Sequence, residues 1–220
     1  EIQAASKKYN IQLSALSGTF NMAHPNIKHR QEESKRFAVL IEAAKRLGTS
    51  IITLCTGTRD TSSIWKFHSD NSSKEAWRDL CETLEPALIL AQEHNLILAF
   101  EPETSNVVSS ARRGRQLLDE MKSPNLKVIM DGANLFTSET LSKQQEVFDE
   151  AFGLLGNEIV LAHAKDFTAT DEFVAAGKGA VDYGLFVQHL KHIDFQGAFI
   201  LHSLSEAEVP GCVQFLQKHL

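Results

Sequence analysis

The segment IVLAHAKD, residues 159–166, reads as a β-strand that ends on three polar side chains. Its first half is continuously apolar, which is typical of strands in a parallel sheet that helices cover. His163, Lys165 and Asp166 follow, and such groups are rarely buried without a partner or a function. The segment therefore predicts a strand whose carboxyl end lies at a site, and other strands should end in the same way.

The rest of the chain repeats one unit, an amphipathic helix pattern next to a short apolar run. The apolar runs are IQLSALSG, SIITLCTG, LILAFEPE, LKVIMDGANLF, IVLAHAKD and GAFILHS. This alternation is typical of a parallel sheet, either open and doubly wound or closed into a (β/α)8 barrel. Because no glycine-rich nucleotide-binding motif follows any run, we predict an α/β TIM barrel with about six of its βα units present.

Composition indicates an ordinary globular chain with a single domain over residues 1–220. The sequence is 43% hydrophobic and 23% charged, and no linker or low-complexity stretch divides it. Its net charge of -6 argues against nucleic acid as a partner, and no apolar run approaches the roughly 20 residues of a membrane span. Cys55, Cys81 and Cys212 are too widely spaced to suggest disulfides or a zinc knuckle. We therefore expect a cytoplasmic protein.

Four consecutive strands of the predicted barrel end on residues that can bind a metal, namely Glu101, Asp131, His163 and His202. In a barrel these strand ends converge on one point, and strand alternation places Glu101, His163 and His202 on the inward rows. Two carboxylates and two imidazoles suit Mn²⁺, Co²⁺, Zn²⁺, Fe²⁺ or Ni²⁺ better than Mg²⁺ or Ca²⁺. We predict one divalent metal ion, against the alternative that each polar residue only ends a strand where the chain meets water.

With these strand ends, the sequence resembles the sugar phosphate isomerase/epimerase family, the xylose isomerase-like TIM barrels. The matching stretches are CTGTRD, LAFEPE, VIMDGANLF, VLAHAKD, GKGAVDYGLFVQHL and GAFILH, in family order along nearly the whole chain. The resemblance implies a metal-dependent enzyme of carbohydrate metabolism that isomerises or epimerises a small sugar, keto-sugar or sugar phosphate. It also implies metal binding by Glu101, Asp131 and His163, whereas the family's fourth ligand, a glutamate, falls on His202.

Two features depart from that family pattern. His202 in place of glutamate is compatible with metal binding but weakens a two-carboxylate mechanism, and Glu206 is an alternative to it as the family's fourth residue. The aligned chain opens in the helix before the third strand, so we expect a fragment that lacks the first two strands. Two other functions stay open: metal-dependent hydrolase or lyase chemistry, as in endonuclease IV-like and dehydratase members, and a degenerate barrel without catalysis.

For catalysis we assign Glu101 as the first base, His202 as its partner and Lys165 as the group that polarises a substrate oxygen. A metal-bound imidazole is a poor base, and Lys165 could equally form a salt bridge to Asp166 or Glu101. Asp166 itself should support the metal ligands rather than bind the ion.

The expected substrate-binding residues lie mostly on loops after the strands, and they are His24, Arg59, His68, Glu103, Asn134 and Lys165. Arg59 suits a carboxylate or a phosphate, because its guanidinium group is a fork of donors. Neither the sugar nor the metal can be identified from the sequence. Relatives in the family associate through barrel helices, so a homo-oligomer is compatible with the resemblance, although the sequence shows no interface.

Overall fold

A computed structural model describes residues 1–220 and contains α-helices alternating with parallel strands. The α-helices are α1 (Ile2–Tyr9), α2 (Ile27–Leu47), α3 (Lys74–Glu93), α4 (Ala111–Met121), α5 (Gln144–Leu155), α6 (Tyr183–His192) and α7 (Val209–Gln217). The strands are β1 (Leu16–Ser17), β2 (Ile51–Leu54), β3 (Ile97–Phe100), β4 (Leu126–Asp131), β5 (Ile159–Ala164), β6 (Asp166–Phe167), β7 (Phe173–Val174) and β8 (Ala198–Leu201). The prediction of an α/β fold with about six βα units is confirmed.

Short 3₁₀ helices complete the secondary structure, at Ser69–Ser72, Gly132–Leu135, Leu141–Lys143, Gly156–Glu158 and Glu206–Glu208. None of the helices combines the length and the apolar character that crossing a bilayer requires.

The chain forms two compact units. Unit 1 comprises residues 1–101, 105–109 and 117–127, and unit 2 comprises residues 102–104, 110–116 and 128–220. The single domain over residues 1–220 stays a prediction.

Unit 1 is built on parallel strands in the order β1-β2-β3. β2 pairs with β3 along its whole length, and Ile52 lies beside Leu98. Both side chains are fully buried, as are Ile41 of α2 and Leu80 of α3. These strands have the continuously apolar character that parallel sheets need when helices cover them.

A buried carboxylate on α3 connects that helix to the loops after β1 and β2. Asp79 Oδ2 accepts hydrogen bonds from Arg30 Nη1 at 3.1 Å and from Arg59 Nη1 at 2.7 Å. The same two nitrogens also donate to the backbone oxygens of His24 and Ala23. Burial on its own would raise the pKa of Asp79, but the hydrogen bond from Arg59 and the charge of Arg30 outweigh it and lower the pKa.

Unit 2 contains parallel strands in the order β4-β5-β8. The register places Asp131 beside His163 and His163 beside Ile200. Between β5 and α6 the chain forms an antiparallel hairpin, β6–β7, which was not predicted from the sequence. Phe148 of α5 and Phe186 of α6 are fully buried, with ring centroids 5.4 Å apart, so aromatic packing joins these two helices.

We expect Asp79→Asn to lower the free energy of unfolding by about 3 kcal/mol at neutral pH, because two arginines lose their counter-charge. The folded-state pKa of Asp79 lies below its value in the unfolded chain. Its stabilising contribution is therefore complete above the unfolded-state pKa and is lost as the pH falls through the folded-state pKa. Urea denaturation should show the difference between the two proteins shrinking below about pH 4.

Asp70→Asn is the matched control, since the side chain of Asp70 is 68% exposed in the same unit. We expect its free energy of unfolding to stay within about 0.5 kcal/mol of the unmodified protein. Equal losses in the two variants would show that Asp79 is not a special contributor to stability.

Candidate metal centre

Three strand ends in unit 2 bring one carboxylate and two imidazoles together. Asp131 ends β4, His163 lies in β5, and His202 directly follows β8. His202 extends the strand pairing, because its backbone N–H donates to Ala164 O at 3.3 Å. Candidate ligand atoms of the three side chains all lie within 4.8 Å of one another, and the two imidazole centroids are 4.7 Å apart. Parallel register therefore assembles residues that are far apart in the sequence.

Asp131 is the buried anion of this cluster, with a fully buried side chain. Its Oδ1 accepts a hydrogen bond from Ala133 N at 3.0 Å, while Oδ2 lies 3.0 Å from His202 Nε2 and 3.4 Å from Lys165 Nζ. Burial on its own would raise the pKa of Asp131, but the charge of Lys165 and the hydrogen bond with His202 lower it below its ordinary value. The group is therefore a carboxylate and can act as a metal ligand.

The donor set of Asp131, His163 and His202 fits a divalent transition metal. A carboxylate oxygen and imidazole nitrogens suit zinc and its neighbours in the first transition row. Around tetrahedral zinc, ligand atoms at about 2.1 Å from the metal lie about 3.4 Å apart, so small side-chain movements would bring the three groups onto one ion. Glu101 directly follows β3 in unit 1, and its metal binding stays a prediction.

Lys165 is enclosed by neighbours that the sequence did not identify. Its side chain is 9% exposed and its ammonium lies 4.2 Å from the ring centroid of Phe173, on β7. Its backbone oxygen accepts a hydrogen bond from Tyr183 Oη at 2.5 Å, and burial raises the pKa of Tyr183, so that this phenol remains a donor. Within unit 2 its ionic partner is Asp131, which the sequence did not suggest. Tyr183 belongs to the GKGAVDYGLFVQHL stretch, whereas Phe173 lies in no motif.

Asp166 fixes the loop that follows the hairpin. Its buried carboxylate accepts hydrogen bonds from the backbone N–H groups of Phe167 at 2.8 Å, Gly177 at 3.0 Å and Val181 at 3.0 Å. Gly177 has a φ of 86°, and a Cβ atom at Gly179 would lie 2.3 Å from Asp166 Oδ1. Glycine is therefore needed at both positions. Asp166 thus has a structural role in this loop, and its support of the metal ligands stays a prediction.

The predicted substrate-binding residues of unit 1 have local partners. His24 Nδ1 accepts a hydrogen bond from Asn26 N at 3.0 Å, and His68 Nδ1 accepts one from Asp70 N at 3.1 Å. Arg59 is bound to Asp79. These contacts give each of the three residues a role in local structure. Substrate binding by these residues stays a prediction.

Two further predicted substrate-binding residues lie in unit 2. Asn134 is buried in the 3₁₀ helix that directly follows Asp131, and Glu103 is half-buried on the loop after β3. Glu206, the alternative carboxylate, is exposed and begins the 3₁₀ helix after β8. Of the remaining candidates, Asn134 is thus connected most directly along the chain to Asp131.

Comparison with known proteins gives a family and a fold. The model of a family described as a xylose isomerase-like TIM barrel matches residues 1–218. A D-tagatose 3-epimerase-like protein superposes with a TM-score of 0.81 at 15% identity, over 99% of this chain and 80% of that chain. D-psicose 3-epimerase from Clostridium cellulolyticum H10 superposes with a TM-score of 0.73 at 14% identity, over 99% of this chain and 82% of that chain. The IOLI protein with a bound zinc atom superposes with a TM-score of 0.69 at 16% identity, over 100% of this chain and 80% of that chain.

At these identities the likeness to solved structures shows the fold alone. The comparison with curated proteins gave no match.

We expect Asp166→Ala to release the loop before α6 and to lower the free energy of unfolding by about 3 kcal/mol, because three backbone N–H groups lose their acceptor. Amide hydrogen exchange, followed by NMR, should become faster at Gly177 and Val181 than in the unmodified protein. Glu172→Ala, an exposed change on the same hairpin, is the control and should leave both amides protected. Unchanged protection in Asp166→Ala would contradict the assignment.

Proposed function

The chain belongs to the xylose isomerase-like TIM barrel family, and we propose that it is a divalent-metal-dependent isomerase or epimerase of a small sugar, keto-sugar or sugar phosphate. The observation that carries the proposal is the cluster of Asp131, His163 and His202 at the carboxyl ends of parallel strands. Barrel enzymes place their active sites at those ends. The similar epimerase structures support the sugar substrate, and the zinc atom of the IOLI protein supports the metal.

Asp131, His163 and His202 would hold the ion, with Glu101 as the fourth ligand that the family pattern implies. When bound, a divalent ion supplies Lewis acidity toward a carbonyl oxygen and the hydroxyl oxygen on the adjacent carbon, which lowers the pKa of the proton on the hydroxyl-bearing carbon. The protein must then remove that proton and return it. We assign its removal to the carboxylate of Glu101.

Lys165 supplies the hydrogen-bond donor of this scheme. Its ammonium lies 3.4 Å from Asp131 Oδ2, beside the proposed metal ligands, and can donate to a substrate oxygen on which negative charge develops.

His202 bears on the choice between isomerisation and epimerisation. As a metal ligand it has its lone pair engaged and cannot remove a proton, so Glu101 is the one carboxylate base of the scheme. One base on one face can move a proton between adjacent carbons, as aldose–ketose isomerisation requires. Inversion at one carbon requires a second group on the opposite face. The residue at position 202 therefore favours isomerisation, and Glu206 is the candidate second group for epimerisation.

Metal content is the first test of the proposal. We expect about one equivalent of divalent metal per chain by elemental analysis after loading with zinc, cobalt or manganese. His163→Ala and His202→Ala should each weaken binding more than about tenfold, because each removes a ligand atom. His192→Ala is the control, since His192 is exposed on α6. Metal lost only in His163→Ala would leave His202 with a substrate or proton-transfer role, and no binding in any protein would refute the proposal.

Product analysis is the second test. With metal at saturation, we expect turnover on a panel of aldoses, ketoses and their phosphates, and Glu101→Gln should reduce kcat about 10³-fold by removing the base. Conversion of a ketose to an aldose would establish isomerisation, and conversion to another ketose would establish epimerisation. Dehydrated or hydrolysed products would support the lyase or hydrolase alternative. A metal-loaded protein without turnover on the panel would support the degenerate barrel.

A further inference from the structure

Lys165 occupies the place on Asp131 that a bound cation would take. Oδ1 of Asp131 is engaged by Ala133 N at 3.0 Å, so Oδ2 is the oxygen that faces the cluster. Both His202 Nε2, at 3.0 Å, and Lys165 Nζ, at 3.4 Å, contact this oxygen. A carboxylate oxygen has two lone-pair positions, and these two contacts fill them.

Charge makes the lysine contact incompatible with a metal ion on the same oxygen. The positive charge of Lys165 balances the negative charge of Asp131, and their side chains are only 9% and 0% exposed. A divalent ion on Oδ2 would share that oxygen with the ammonium, and like charges repel strongly in a partly buried site. His202 can turn its lone pair toward an ion, because a neutral imidazole has an acceptor nitrogen. An ammonium has donors only, so Lys165 must move away.

Phe173 holds the ammonium in its observed place. Its ring lies over Lys165 Nζ at 4.2 Å from the centroid, a cation–π contact that a neutral or displaced amine would lose. Phe173 is 48% exposed, so it forms a cover between the ammonium and solvent. The β6–β7 hairpin sets the position of this ring, because Phe173 pairs with Phe167 and their ring centroids are 5.5 Å apart.

We infer that Lys165 is an internal counter-ion that competes with the divalent metal for Asp131 and, once displaced, moves onto a substrate oxygen. This inference rests on the proposed function, because it assumes that the cluster binds a metal. The hydrogen bond from Tyr183 Oη to Lys165 O fixes the backbone, while the four-carbon stem of lysine leaves the ammonium free to swing. The donor for the substrate thus becomes available only when the site is loaded.

Metal affinity tests the competition. We expect Lys165→Met to bind Zn²⁺ about tenfold more tightly than the unmodified protein, equal to about 1.4 kcal/mol, measured by competition with a chromophoric chelator. Lys218→Met removes the same charge from the exposed end of α7 and should leave the affinity unchanged. Phe173→Ala should raise the affinity by a smaller factor, about threefold, because it weakens the hold on Lys165 without removing it. Circular dichroism verifies that each variant is folded.

Lysine reactivity tests the displacement. We expect reductive methylation, mapped by mass spectrometry, to modify Lys165 slowly without metal and faster after addition of Zn²⁺, because the ammonium leaves its buried place. Lys218 provides the internal reference and should react equally in both conditions. In Phe173→Ala, Lys165 should react faster even without zinc.

The outcomes separate the inference from the proposed function. If the unmodified protein binds zinc and Lys165→Met binds it equally or more weakly, the competition is wrong while the metal site stands. If zinc leaves the reactivity of Lys165 unchanged, the displacement is wrong. If neither protein binds zinc, the metal site and the inference fail together.

Discussion

The buried carboxylate of Asp131 is the constraint on which the rest of the candidate centre depends. A carboxylate without solvent needs compensating charge or hydrogen bonds, and here a lysine, an imidazole and a backbone N–H supply them. The same carboxylate must stand beside His163, which holds only if β4 and β5 keep their register. A slip of one residue would turn whole rows of side chains to the other face of the sheet. The cluster can therefore form only when the strands keep this register.

Unit 1 contains another buried carboxylate, Asp79, whose Oδ2 is shared by two arginines, and the nature of its partners makes it a structural site. Asp79 is contacted by Arg30 and Arg59, whose planar groups also bind backbone oxygens and remain charged at any ordinary pH. These guanidinium groups connect segments of the chain, and each is held by several hydrogen bonds at once. Lysine is a mobile point charge, and imidazole can exchange a proton for a metal ion. The partners at Asp131 are exchangeable, and those at Asp79 are not.

The sequence was sufficient for the fold class and for the residues that meet in unit 2, because both are encoded in short stretches. Apolar runs between helical patterns predicted the strands, and the polar residues that ended them predicted a metal site of Glu101, Asp131, His163 and His202. The last three lie close together in unit 2, and metal binding stays a prediction. The β6–β7 hairpin was not predicted, because strands of two residues carry no measurable period. Phe173 was missed because it reaches Lys165 only through that hairpin. The pairing of Arg59 with Asp79 joins a loop to a helix twenty positions later, and no local pattern encodes it.

The three hydrogen bonds accepted by Asp166 hold both sides of the hairpin, at Phe167 and at Gly177 and Val181, and leave its tip, residues 168–172, outside their reach. The tip is largely exposed, and it is followed directly by Phe173. Because these hydrogen bonds fix the hairpin on both sides of its tip, we expect substitutions in residues 168–172 to leave the strands that present Asp131 and His163 in place. Sequence changes there would alter the segment that presents Phe173 to the ammonium of Lys165, while Asp131 and His163 keep their positions on the parallel strands.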